Sequence, residues 1–258
     1  MSHVATLPLL LKQLKLTSFS HHWEALLEQS NQRGWNSLQY LTALCEQELA
    51  DRHNRRINRY IKESQLPAGK TLSSFDFTQV PELNAQQIEA FTTSTDWVHQ
   101  ARNLILFGAS GVGKTHLAAA VGHGLTEKGI RVRQYTTTTL VQQLQQARER
   151  LQLESALQKL DKYQVLILDD FGYVKKNHLE THVLFELIAH RYETGSLITT
   201  SNQPFSDWDQ IFPDEMMTVA AIDRLVHHAN LIEIRSGSYR RKTAMQQMNG
   251  KGAISATA

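Results

Sequence analysis

Eight consecutive residues, Gly108-Ala-Ser-Gly-Val-Gly-Lys-Thr115, restrict this chain more than any other stretch of it. They fit the pattern G-x-x-x-x-G-K-[ST] in the setting that pattern requires. The apolar run Leu104-Ile-Leu-Phe107 precedes them as a strand, and a helical segment starts near Lys114. Glycines let the backbone fold its N–H groups around phosphate oxygens, and the first turn of the helix adds a field that favours negative charge. Lys114 then reaches the β- and γ-phosphates of ATP, and the Thr115 hydroxyl ligates Mg²⁺. Gly108, Ala109, Ser110, Gly111, Val112 and Gly113, with His116 just beyond, complete the expected nucleotide-binding set. A glycine-rich turn with a chance lysine would need neither flanking element.

About 55 residues later the run Val165-Leu-Ile-Leu ends in Asp169 and Asp170. Two carboxylates at the end of a buried strand are costly unless they serve a cation or a water. Asp169 fits the Mg²⁺-ligand role and Asp170 that of orienting the attacking water. A third apolar run ends in Thr199-Thr-Ser-Asn202, where an amide can contact the γ-phosphate, although Ser-Asn is also ordinary turn chemistry.

The rest of the chain reads as α/β. Val132–Tyr135 and Leu231-Ile-Glu-Ile234 join the three runs above, with helix-length segments between them, which predicts a five-stranded, mostly parallel sheet covered on both faces. Before residue 66 the pattern is helical. Leu16, Phe19, Trp23 and Leu26 form one apolar stripe, Gly34 breaks it, and a second helix is expected from Ser37 to Ser64. The expected organisation is a small all-helical N-terminal domain over 1–66, an ATPase domain over 67–246, and a disordered tail over 247–258. Lys and Arg total 27 against 25 Asp and Glu, a net charge of +2 that excludes a wholly basic nucleic-acid coat protein and a strongly acidic tail protein. The single cysteine, Cys45, excludes an intramolecular disulfide framework. The leucine run at 7–11 is broken by Lys12 and Lys15, so neither a membrane helix nor a signal peptide is expected, and the expected location is the cytoplasm.

Taken together, these segments resemble the AAA+ ATPases, and among them the IstB-like transposition helpers beside the DnaC-like helicase loaders. The resemblance covers nearly the whole chain. It is carried by Leu14-Lys-Leu16, Glu48–Ile57, Lys70–Phe77, the phosphate loop, Leu168-Asp-Asp-Phe-Gly172, Thr200-Ser-Asn202, Ile222-Asp-Arg-Leu225 and Gly237-Ser-Tyr-Arg240. It implies a sensor role for Asn202 and an arginine-finger role for Arg224, inserted toward the γ-phosphate held by a neighbouring subunit. ATP would then sit at an interface of a homo-oligomeric ring or filament. Phe75 and Phe77 match the segment that closes over adenine; as plain core aromatics they would be equally ordinary. Two positions depart from the wider AAA+ pattern. Asp170 stands where many members have Glu. Only 23 residues follow Arg235, too few for a full helical lid, which leaves Arg240 as the substitute for the lid arginine.

Double-stranded DNA is the expected partner, with a cognate transposase. Arg52, Arg55, Arg56 and Arg59, with Lys62, share one helical face, as a phosphate-binding stripe or a solvated partner-binding face would. Thr138 to Lys159 reads as two short helices with a bend near Gln152. Thr137, Thr138, Arg148, Arg150 and Lys159 are there as candidate backbone contacts of low sequence preference. His178 and His182 lie four apart without the glutamate placement of a metalloprotease, and the adjacent His227 and His228 are expected to diverge. The competing readings are a replicative helicase loader, a non-hydrolysing ATP-switched scaffold and, more distantly, a small-molecule kinase.

Overall fold

A computed structural model describes residues 3–171, 178–203, 207–208 and 215–238. In chain order the elements are α1 (His3–Gln13), α2 (Thr17–Arg33), α3 (Ser37–Ser64), α4 (Ala85–Thr93), α5 (Asp96–His99), β1 (Asn103–Gly108), α6 (Lys114–Glu127), β2 (Val132–Thr136), α7 (Thr137–Glu149), α8 (Leu153–Leu160), β3 (Val165–Asp169), α9 (His178–Arg191), β4 (Ser196–Ser201), α10 (Glu215–Val226) and β5 (Ala229–Ile234). Two short 3₁₀ turns, Leu72–Ser74 and Phe77–Gln79, lie between α3 and α4. The chain divides into two units, Met1–Arg59 and Tyr60–Ala258, so the division falls inside α3.

In the first unit, local chemistry sets the helix ends. Gly34 takes a left-handed φ of 66° and closes α2. Asn36 and Gln39 then exchange side chain-to-amide bonds of 2.9 Å each, a reciprocal cap that starts α3. The start of α2 has no cap of its own. Glu48, buried on α3, supplies it, accepting from the amides of Ser18 at 2.8 Å and Phe19 at 3.3 Å. Arg52 donates to the same carboxylate at 2.6 Å and Arg55 lies 3.5 Å from it. Burial acts to raise the Glu48 carboxyl, but Arg52 and the two amides outweigh it and hold the group below its usual value. Two members of the cationic stripe therefore pair with the carboxylate that ties the start of α2 to α3.

The second unit is built on the sheet, ordered β2-β3-β4-β1-β5, with every pairing parallel. Strand periodicity explains why both faces are apolar. Leu104 and Leu106 of β1 join a core with α6 residues Leu117 and Val121, while Ile105 and Phe107 join the opposite core with Leu184 and Leu187 of α9. At the register level, Leu106 pairs with Thr200 and Leu168 with Thr199, which puts β4 between the strand that leads into the phosphate loop and the strand that ends in Asp169. The last turn of α3 belongs to this unit: Arg131 bonds Glu63 at 2.6 Å and stacks over Tyr60.

Candidate nucleotide-binding site

A cavity of about 490 Å³ opens at the C-terminal ends of β1, β3 and β4. This is the place where parallel sheets expose the loops that bind ligands. Residues Ser110 to His116 form one wall, Asp169, Asp170 and Asn202 a second, and Phe75 with Lys70 and Gln79 a third. The phosphate loop has its shape because three glycines adopt φ values closed to most residues: 146° at Gly108, 83° at Gly111 and 106° at Gly113. At Gly108 a side chain would also collide with the Ile234 carbonyl. At Gly113 a Cβ would lie 2.7 Å from Cε2 of Phe75.

Lys114 opens α6 and is buried, and its ammonium donates to the carbonyls of Gly108 at 2.8 Å and Ala109 at 2.7 Å. Gly108 and Ala109 thus serve through their backbone, and neither lines the cavity itself. Thr115 Oγ1 donates to Asp169 Oδ1 at 2.9 Å, which joins the loop to the acidic strand end. The same carboxylate oxygen accepts from Thr200 Oγ1 at 2.6 Å, and Thr200 Oγ1 in turn accepts the amide of Asp170 at 3.0 Å. Thr200 is wholly buried. Its hydroxyl holds both aspartates, and Asp170 carries its exposed side chain on a left-handed backbone with φ 59°. Sequence reasoning passed over Thr200. The available signal was a threonine near the end of a neighbouring apolar strand, but it acquires meaning only once β4 is known to lie beside β3.

The third wall is a strap. His116 Nε2 lies 2.9 Å from the Thr71 carbonyl and 3.1 Å from Ser74 Oγ. Phe75 meets His116 edge-on with ring centres 5.3 Å apart, and Phe77 supports Phe75 from behind at 4.8 Å without lining the cavity. Phe75 thus presents its ring to the cavity, and Phe77 packs edge-on against it.

The remaining expected residues lie elsewhere. Arg224 on α10 does not line this cavity. It borders a separate groove with Tyr192, Met216 and Val219, stacks over Phe185 at 5.4 Å and donates to the Ala220 carbonyl one turn back in its own helix at 2.8 Å. Arg240 lies outside the described residues. On α7 the Thr137 hydroxyl is buried and donates to the Asp169 backbone carbonyl at 2.9 Å, so this hydroxyl braces the acidic strand end and is withdrawn from any DNA-facing set. Thr138, Arg150 and Lys159 are exposed, while Arg148 is half-buried with its Nη1 lacking a hydrogen-bond partner. Arg52 and Arg55 serve Glu48, and Arg56 and Arg59 remain on the exposed side of α3. Among the described residues no helix is long and apolar enough to cross a membrane.

Comparison with known proteins agrees with this geometry. The IstB-like ATP binding protein family matches residues 9–247. The chain is 48% identical over 254 residues to a Sinorhizobium fredii protein named as an insertion sequence ATP-binding protein, covering 98% of this chain and 85% of that one. It is 39% identical to the similarly named protein of insertion sequence IS21 from Pseudomonas aeruginosa, covering 92% and 89%. Its fold is also that of AMPPCP-bound DnaA from Aquifex aeolicus, with a TM-score of 0.53, 19% identity, and coverage of 72% of this chain and 57% of that one. A parallel five-stranded sheet with the phosphate loop after its β1 strand and a paired Thr115–Asp169 contact is the AAA+ core, and the chain belongs to the IstB-like family of ATP-binding proteins associated with insertion sequences.

Proposed function

We propose that this protein is a cytoplasmic, Mg²⁺-dependent ATPase that self-assembles on duplex DNA and assists a cognate transposase. The observation that carries the reading is the division between cavity and arginine. Lys114, Thr115, Asp169, Asp170 and Asn202 converge on one cavity, while Arg224 lies on a different face with half-exposed surroundings. In this reading Arg224 of a second copy completes the γ-phosphate site, which makes assembly part of turnover.

Within one subunit, Lys114 binds phosphate oxygens in place of the two carbonyls it now holds. The Thr115 hydroxyl and Asp169 carboxylate, 2.9 Å apart, are hard oxygen donors of the kind Mg²⁺ takes, and they would hold it. When bound, the cation would neutralise phosphate charge. Asp170 orients the attacking water, and its fixed backbone limits the rotamers through which it does so. Asn202 contacts the γ-phosphate or that water. Phe75 covers the base. Thr138, Arg150 and Lys159 contact DNA phosphates, which supports affinity with little base preference. The relatives' association with insertion sequences favours a transposase partner over a replicative helicase.

Phosphate release with and without duplex DNA, together with capture of the purified transposase and of the replicative helicase, tests the reading. DNA-stimulated release that is lost in Lys114→Ala and Asp170→Asn, with capture of the transposase, is expected. Wild-type release from Asp170→Asn, or capture of the helicase alone, overturns it.

A further inference from the structure

The adjacent histidines His227 and His228 do not diverge as their sequence separation suggests. They occupy the turn between α10 and β5, and their rings lie side by side at a 43° tilt with centres 4.0 Å apart. Glu193, in the turn between α9 and β4, faces them, and one ligating atom from each of the three side chains lies within 4.8 Å of the others. We propose that Glu193, His227 and His228 form a binding site for a transition-metal cation of the Zn²⁺ class, separate from the nucleotide cavity.

The donor set is two imidazoles and a carboxylate, which favours Zn²⁺ and its neighbours over the Mg²⁺ that accompanies ATP. Tetrahedral zinc with bonds of about 2.1 Å needs donor atoms about 3.4 Å apart. Rotation of exposed side chains closes that difference. The fourth position is left to water.

Three features make the turns a prepared frame. The His227 amide donates to the Asp223 carbonyl at 2.8 Å, and the His228 carbonyl accepts from the Asn103 amide at 3.1 Å, so the histidine backbone is fixed to α10 and to β1. On the other side, buried Arg191 anchors the end of α9 through the carbonyls of Tyr163 and Gln164, each at 2.9 Å. Between them, Tyr192 Oη lies 2.8 Å from His227 Nδ1. With Nδ1–H donating to the phenol oxygen, His227 keeps Nε2 as an acceptor, the outer support that metal-binding imidazoles usually have. A bound cation would tie the turn after α9 to the turn after α10, three residues beyond Arg224.

The test is calorimetric titration of the nucleotide-free full chain with ZnCl₂, with MgCl₂ as control, in wild type, His228→Ala and Glu193→Gln. One zinc site is expected, with no comparable heat from MgCl₂ and at least about 10-fold weaker binding in each variant. Thermal melts without metal should match wild type, since the altered side chains are exposed; should His228→Ala fail to fold, Glu193→Gln decides alone. Zinc affinity undiminished in the folded variants places the metal on other histidines and overturns the proposal. Absence of micromolar zinc binding by wild type does the same.

Discussion

Thr200→Val is the most informative single change. Valine keeps the branched shape but removes the hydroxyl that donates to Asp169 Oδ1 at 2.6 Å and accepts the Asp170 amide at 3.0 Å. The first bond is to a carboxylate and is worth about 1.5–3 kcal/mol, and a half-buried amide left without its partner adds about 1 kcal/mol. The combined loss is about 2.5–4 kcal/mol. In a unit of this size each kcal/mol lowers the melting temperature by about 2–4 °C, so a drop of about 5–16 °C is expected. Asp169 keeps Thr115, so binding of a fluorescent ATP analogue should weaken much less than phosphate release, which depends on where Asp170 is held. Thr200→Ser should restore both. Circular dichroism melts, nucleotide titration and a phosphate-release assay measure the three quantities. A Thr200→Val protein that melts and turns over like wild type would show that this hydroxyl positions nothing, and the reasoning would be wrong.

Lys114→Ala and Arg224→Ala should each lower phosphate release by at least about 10³-fold, yet their equimolar mixture should recover turnover, because some interfaces join an intact cavity to an intact arginine. A mixture as inactive as its components refutes the shared site. The Glu48 carboxyl is held below its usual value of 4.5, so its contribution is present above that value and is lost as pH falls through the lower folded value. Melts of the first unit should therefore weaken with acid, and Glu48→Gln should flatten that dependence while costing about 1–3 kcal/mol near neutral pH. Gly108→Ala forces a side chain onto a backbone with φ 146° and against the Ile234 carbonyl, so a loss above about 2 kcal/mol is expected in denaturant unfolding.

Much of the fold is legible from local pattern. The five apolar runs became β1 to β5 because runs of that length, bounded by turns, have few other ways to bury both faces. Helix α3 spans Ser37–Ser64 because its start is a cap made by residues three apart, and the break between α7 and α8 falls at the bend expected near Gln152. The phosphate loop and Asp169 were legible for the same reason: glycine content, a strand end and a helix start are all neighbours in the chain.

What could not be read locally depends on partners far apart in sequence. The cations of α3 looked alike, yet Arg52 and Arg55 are tied to a glutamate that caps another helix. Thr137 looked like a surface hydroxyl and is a buried brace. His227 and His228 looked divergent, an expectation valid for a strand but not for the turn they occupy.

The sequence by itself determined that the chain builds a nucleotide loop on a parallel α/β core, because that loop's chemistry is contained within eight residues and the two elements beside them. Only the tertiary structure decided that β4 lies between β1 and β3, since strand order is set by how both faces of the sheet are buried and not by any local signal. That order makes Thr200 the hinge of the acidic pair. It also leaves Arg224 outside the cavity of its own subunit.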